Sequence, residues 1–287
     1  MDIEEALSRY LTQLRADGRS EHTARQYCRH VTLLAAWLSE GKHSGDVEEV
    51  SHEQLAAFLS SPSARTRSDG KTKRATTANA LRTSLRTFFR YAHEAGYTQS
   101  NPARLVRRAL CGSPPIRALS DDEQGRLLLA LAQGKGPAAE RDRMLFVLML
   151  GSGIRVGSAL ALEASDVDLE RGELQLRTTK GNVPTSVPLS RAICDHLRAY
   201  LAGRPNGLLF PVSSRHAQRR LEQWCKRAGI EHRVRPHDLR HSFAIRIYRK
   251  TRDLLLVQAA LRHRSIASTT VYARTDDAAV RVAVETA

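Results

Sequence analysis

The chain has 287 residues, a length suited to two domains, and its 41% hydrophobic and 26% charged residues bury a core and exclude wholesale disorder. The longest apolar run, Met144 to Leu150, is far short of the roughly 20 residues of a membrane span, and the acidic, amphipathic start MDIEEALSRY is unlike a secretory signal. Lys and Arg number 45 against 30 acids, giving +15 and a pI near 10.3, which points to a polyanionic partner, nucleic acid before membrane. The first hundred residues then read as helices. Ile3 to Leu14 places Ile3, Ala6, Leu7, Tyr10, Leu11 and Leu14 at helical spacing. Ser20 opens a second helix that Gly41 can close, Ser51 with Gln54 makes a capping box for a third, and Thr76 to Ala95 is a fourth, stopped by Gly96 and Asn101-Pro102. Between the last two lies SSPSARTRSDGKTKRAT, read as a polar loop with five cations: Arg65, Arg67, Lys71, Lys73 and Arg74.

Pro102 to Pro115 combines turn formers with three arginines and little periodicity, so it reads as a linker. The expected division is residues 1–105, a linker over 106–117, and a second domain over 118–287. Ser120 and Glu123 form another capping box. After Leu162, DVDLERGELQLRTTKGNVPTSVPLS alternates apolar and polar residues. Turn signals at Glu170–Gly172 and Lys180–Asn182 predict three short antiparallel strands. Helical patterns resume from Arg191. Residues 204–264 alone carry 15 basic and 4 acidic residues, so one segment supplies most of the positive field of the second half. The four cysteines, Cys28, Cys111, Cys194 and Cys225, form no CxxC pair and read as reduced thiols of a cytoplasmic protein, neither disulfides nor zinc ligands.

Four places are more polar than their surroundings. Arg155 follows a Gly-flanked turn after the apolar run MLFVLML; Lys180 sits at the tip of the predicted hairpin, one of seven lysines in the chain. His237 and Arg240 are one helical turn apart in RPHDLRHSF, and His263 precedes Tyr272 by nine residues in LRHRSIASTTVYAR. Taken singly, each fits a structural role. Together and in this order, the motifs Gly153-Ile154-Arg155, Thr179-Lys180-Gly181-Asn182, His237-Asp238-Leu239-Arg240, Leu261-Arg262-His263 and Tyr272 resemble those of the tyrosine recombinase (phage integrase) family, and its Xer-type members most closely. Two positions depart from that family's pattern. Ser158 stands where an acidic residue is usual, and Arg262 where a glycine precedes the last histidine.

The resemblance implies a mostly α fold with a small antiparallel sheet: a helical, SAM-like core-binding domain followed by the catalytic domain, in a C-shaped clamp. It implies Arg155, Lys180, His237, Arg240, His263 and the nucleophile Tyr272 as catalytic residues, with no cofactor and no metal. The chemistry needs these residue types. A tyrosyl phosphodiester conserves the energy of the DNA bond, so no ATP is consumed. Two guanidiniums can clamp the non-bridging oxygens of the pentacoordinate state, histidines can move or hold protons, and a lysine can protonate the leaving 5′-oxygen. Arg65, Arg67, Lys71, Lys73, Arg74, Arg215, Arg219, Arg220 and Arg262 are the expected DNA contacts. The implied partners are double-stranded DNA and three further copies of the chain, a homotetramer on two sites with or without a paralogous recombinase, and no membrane. No additional arm-binding domain is expected, since the helices of the core-binding domain are read from the first residues on, and the segment after Tyr272 is expected to dock on a neighbouring protomer. Two rival readings stand beside it: a type IB topoisomerase, which shares this active-site chemistry, and a basic DNA-binding regulator that keeps the fold without catalysis.

Overall fold

Helix α1 (Ile3–Ala16) starts where the Asp2 side chain accepts the Glu4 N–H at 2.7 Å, and it buries Ile3, Ala6, Leu7, Tyr10 and Leu14 along one stripe. The computed structural model to which it belongs describes residues 1–112, 117–177, 185–203, 206–262, 266 and 269–273. The chain divides into two units, 1–113 and 114–287.

In the first unit α2 (Glu21–Glu40) is capped by Ser20, and α3 (His52–Ser60) by the reciprocal Ser51–Gln54 pair, with backbone N–H to side-chain oxygen distances of 3.2 and 2.8 Å. The short α4 (Pro62–Arg65) and the long α5 (Ala75–Glu94) complete it. Leu34, Leu55, Phe58, Leu85, Phe88 and Phe89 are fully buried where these helices meet, each contributing roughly 1.5–3 kcal/mol. His30 and Ser84 share a hydrogen bond of 2.7 Å that links α2 to α5 through buried side chains, and burial brings the His30 pKa down to about 4.

Two segments are more ordered than their composition predicts. The cationic loop before α5 contains the α4 turn, then folds back on itself. Thr66 bridges Thr72, the Lys73 N–H donates to the Arg65 carbonyl at 2.6 Å, and Gly70 takes the left-handed turn with φ 76°. The stretch read as linker is partly docked on the first unit: Ala103 and Val106 are buried, and Asn79 bonds the Ala109 backbone at both N–H and C=O, at 2.7 and 2.9 Å. A glance at the local sequence shows turn formers but not the distant amide that satisfies them.

The second unit begins with α6 (Asp121–Ala132), capped by Ser120 and Glu123, and α7 (Pro137–Ser152), whose Leu145, Phe146, Leu148 and Met149 run through its core. After α8 (Val156–Leu160) come the strands β1 (Val167–Asp168), β2 (Glu173–Leu176) and β3 (Thr185–Pro188), paired antiparallel in that order. Leu174 pairs with Val187, and both face the core, as the alternation predicted. The turn expected at Lys180–Asn182 lies outside the described residues. Helices α9 (Arg191–Leu201), α10 (Ser214–Arg227), α11 (Pro236–Thr251), α12 (Leu254–Leu261) and the turn α13 (Thr270–Ala273) follow. The fold is therefore mostly helical with a three-stranded antiparallel sheet. Among the described residues no helix is long and apolar enough to cross a membrane.

Candidate active site

The end of α7 sets the first functional side chain. Gly153 closes the helix in the left-handed conformation, φ 66°, and a Cβ there would lie 2.3 Å from the Phe243 ring. Glycine is needed twice over, for the turn and for the close approach of α11. The chain then extends through Arg155, the N-cap residue of α8, whose side chain is exposed. On α11, Pro236 sits at the first turn and the Asp238 carboxylate accepts the Arg235 backbone N–H at 2.8 Å, so His237 and Arg240 follow one turn apart. Arg155, Ser158, His237 and Arg240 line one open cleft of about 540 Å³.

Arg240 is 3% exposed. Its Nη1 donates to the Gly153 carbonyl and its Nη2 to the Leu261 carbonyl, each at 2.5 Å, so one guanidinium joins the C-terminal ends of α7 and α12. Its buried Nε has no hydrogen-bond partner among the described residues. Burial, with the Arg155 charge adding, brings Arg240 down to about 10, which leaves it cationic at neutral pH. His237 keeps an exposed edge, yet the protein packed round its ring lowers its pKa, and the Arg240 charge adds to this. The cleft thus presents two guanidiniums, Arg240 held by two carbonyls and Arg155 exposed, beside the His237 imidazole.

Tyr272, on α13, is 2% exposed. Burial raises its pKa, while the Arg240 and Arg155 charges oppose the rise. Its hydroxyl lies 2.9 Å from Nδ1 of His241, the residue after Arg240. The His241 ring in turn meets the His237 ring edge-on at 4.5 Å. His241 is the member of this group that the sequence reading missed, although it stands next to Arg240 in the motif. Lys180 and His263 lie outside the described residues.

The structure also locates the expected DNA contacts. Arg65, Arg67, Lys71 and Arg74 are exposed, with Arg67 paired to Asp69 at 3.0 Å. Lys73 instead donates to the Ser63 and Ala64 carbonyls at 3.1 and 3.0 Å and closes the turn after α4. On α10, Arg215 and Arg219 are exposed one turn apart. Arg220 points to the core, where its Nε donates to Asp142 at 2.5 Å, a carboxylate 1% exposed that also accepts from Arg141 and from the Trp224 indole N–H. Arg262 takes the left-handed conformation, φ 52°, despite having a Cβ, and its Nη2 donates to the Ser186 carbonyl in β3 at 2.6 Å. That bond offsets part of the roughly 1 kcal/mol of strain.

Comparison with known proteins follows the same division of the chain. The model of the Phage integrase family matches residues 117–279, and that of the Phage integrase N-terminal SAM-like domain matches residues 7–96. Tyrosine recombinase XerC of Alcanivorax borkumensis is 31% identical over 288 residues, covering 95% of this chain and 90% of its own. Tyrosine recombinase XerA of Thermococcus kodakarensis is 29% identical over 294 residues, covering 99% and 95%. Among solved structures, a lambda integrase dimer bound to a COC′ core site superposes with TM-score 0.72 at 23% identity, covering 95% of each chain. XerH bound to a palindromic difH substrate superposes with TM-score 0.72 at 21% identity, covering 97% and 83%. These two structures share the fold.

Proposed function

The chain belongs to the phage integrase family and is a site-specific tyrosine recombinase; from that premise we propose which of its residues perform the reaction and on what assembly. The Tyr272 hydroxyl attacks the scissile phosphate of double-stranded DNA. A bond forms from Tyr272 Oη to the 3′-phosphate as the bond to the 5′-oxygen breaks, and Lys180 gives the leaving oxygen its proton. Attack by that 5′-hydroxyl on the phosphotyrosyl bond of a second duplex reverses the step and yields a Holliday junction. Arg155 and Arg240 clamp the non-bridging oxygens from two sides of the cleft, and such preorganised donors are worth about 10²–10³ in rate apiece. His237 and His263 are assigned to accepting the proton that the Tyr272 hydroxyl loses, or to holding the phosphoryl oxygens.

The observation that carries this reading is Arg240. A buried guanidinium whose position is fixed by two helix ends, facing a cleft with a second arginine and a neutral histidine, is a site prepared for an anion rather than for stability. Lys180 and His263 are assigned on their sequence motifs. Residues 1–105 are assigned to core binding, 106–117 to the linker and 118–287 to catalysis. Arg65, Arg67, Lys71, Arg74, Arg215, Arg219 and Arg262 are assigned to phosphate contacts, while Lys73 and Arg220 act first within their own units. A lambda integrase tetramer bound to a Holliday junction shares this fold, and a homotetramer on two sites, in the cytoplasm where the DNA lies, is the assembly proposed here.

The test is covalent capture. A library of randomised duplexes, each carrying a nick that lets the cut fragment diffuse away, is incubated with the protein, and protein–DNA adducts are recovered. The expected result is a 3′-phosphate linked to Tyr272, a consensus sequence among the captured DNA, and no adduct with Tyr272→Phe. An adduct on another residue would overturn the assignment.

A further inference from the structure

The roles assigned above leave out His241, the side chain that holds the nucleophile. It stands between the cleft and the tyrosine: its ring packs edge-on against His237 at 4.5 Å, and its Nδ1 reaches Tyr272 Oη at 2.9 Å. Tyr272 has given up nearly all contact with water, so the place of its hydroxyl is set by protein contacts, of which this bond is one. The placement follows from the helix. Arg240 and His241 are adjacent on α11, so when Arg240 turns inward to the ends of α7 and α12, His241 projects about 100° round the axis, beside α13.

The environment of the two groups bears on whether His241 can act as a base. Burial, then His237 and the Arg240 and Arg235 charges, outweigh Asp238 and bring His241 down to about 4. Burial moves Tyr272 the other way, above its ordinary 10.0. The imidazole is therefore neutral and the phenol protonated at neutral pH, and Nδ1 meets the hydroxyl as donor or acceptor according to its tautomer. The two shifts run in opposite directions, and both disfavour transfer of the tyrosyl proton to His241. His241 can hold the hydroxyl without deprotonating it.

We infer that His241 is a positioning residue for the nucleophile, holding the Tyr272 hydroxyl through the hydrogen bond at its Nδ1 rather than serving as its base. The inference rests on Tyr272 being the nucleophile. Two substitutions separate the roles. His241→Asn places an amide near the position of Nδ1 and keeps a hydrogen-bonding group without useful basicity; His241→Ala removes it.

Single-turnover capture is measured on a nicked duplex of the recovered consensus sequence, together with affinity for the same duplex and thermal melting. Misplacing a nucleophile by about 1 Å costs on the order of 100-fold, so His241→Ala should slow capture by about 30–100-fold at unchanged DNA affinity. His241→Asn should recover at least about tenfold of that loss. Equal loss in both variants would show that basicity matters and overturn the inference, as would wild-type capture by His241→Ala. Should a variant melt early, 3-fluorotyrosine placed at position 272 gives a second reading in the folded protein. Its fluorine resonance should be near wild type in His241→Asn and displaced in His241→Ala; the same resonance in all three would also overturn the inference. Tyr272→Phe runs alongside, and capture by that variant would overturn the assignment of the nucleophile instead.

Discussion

Replacing Arg240 by methionine separates a group kept for catalysis from one kept for stability. The substitution strips donors from the Gly153 and Leu261 carbonyls, at about 1–3 kcal/mol each. Against this, the buried guanidinium carries its own penalty. Burial and the Arg155 charge bring its pKa down to about 10, a fall worth on the order of 3 kcal/mol. The sign matters here: a base whose folded pKa lies below its unfolded one destabilises the fold at every pH below about 10, and the penalty fades as pH rises above that. At neutral pH the full penalty is present, and methionine removes it. The two effects nearly cancel, so Arg240→Met should unfold in urea within about 2–3 kcal/mol of wild type. Its single-turnover cleavage should nonetheless fall by at least 10²–10³, the usual worth of a positioned oxyanion donor. A loss of stability above about 5 kcal/mol, or cleavage at the wild-type rate, would refute the reasoning and make Arg240 a structural staple.

Two further outcomes test the remaining assignments. Arg219→Ala should reduce the salt slope of DNA binding by about 0.9 with little change in melting, whereas Arg220→Ala should cost about 1–3 kcal/mol of stability through Asp142 and leave the slope nearly unchanged. The reverse pattern in salt titrations and melts would exchange their roles. If Lys180 is the general acid, Lys180→Ala should slow cleavage by roughly 10²–10⁴, and sulfur at the 5′-bridging position, a leaving group that scarcely needs a proton, should restore most of that loss while rescuing Arg155→Ala much less. Equal rescue of the two variants would make Lys180 another phosphate clamp.

The features legible in the sequence are those encoded within a few residues. The capping boxes at Ser51 and Ser120, the left-handed Gly153 and the alternation that pairs Leu174 with Val187 are each local bargains between neighbouring side chains and backbone. The motif order was legible too, and it brought Arg155, His237 and Arg240 to one cleft. What the sequence did not disclose are contacts between distant residues. Arg220 reads as a surface cation because nothing within one helical turn shows Asp142 waiting 78 residues earlier. His241 reads as a bystander because its partner, Tyr272, stands 31 residues later in the chain. Arg262 departs from the glycine expected at its position, and only the fold supplies the β3 carbonyl that rewards an arginine there. The SSPSARTRSDGKTKRAT stretch shows its charge in the sequence, but its α4 turn depends on Ala64 being buried in the first unit.

The central claim is strand exchange through a tyrosyl intermediate, and the most direct measurement uses two duplexes of different length that both carry the captured consensus sequence, labelled on different strands. The account predicts recombinant products of intermediate length, preceded by a four-way junction and absent with Tyr272→Phe. Cleavage and relaxation of supercoiled DNA without any exchange between the two duplexes would contradict it.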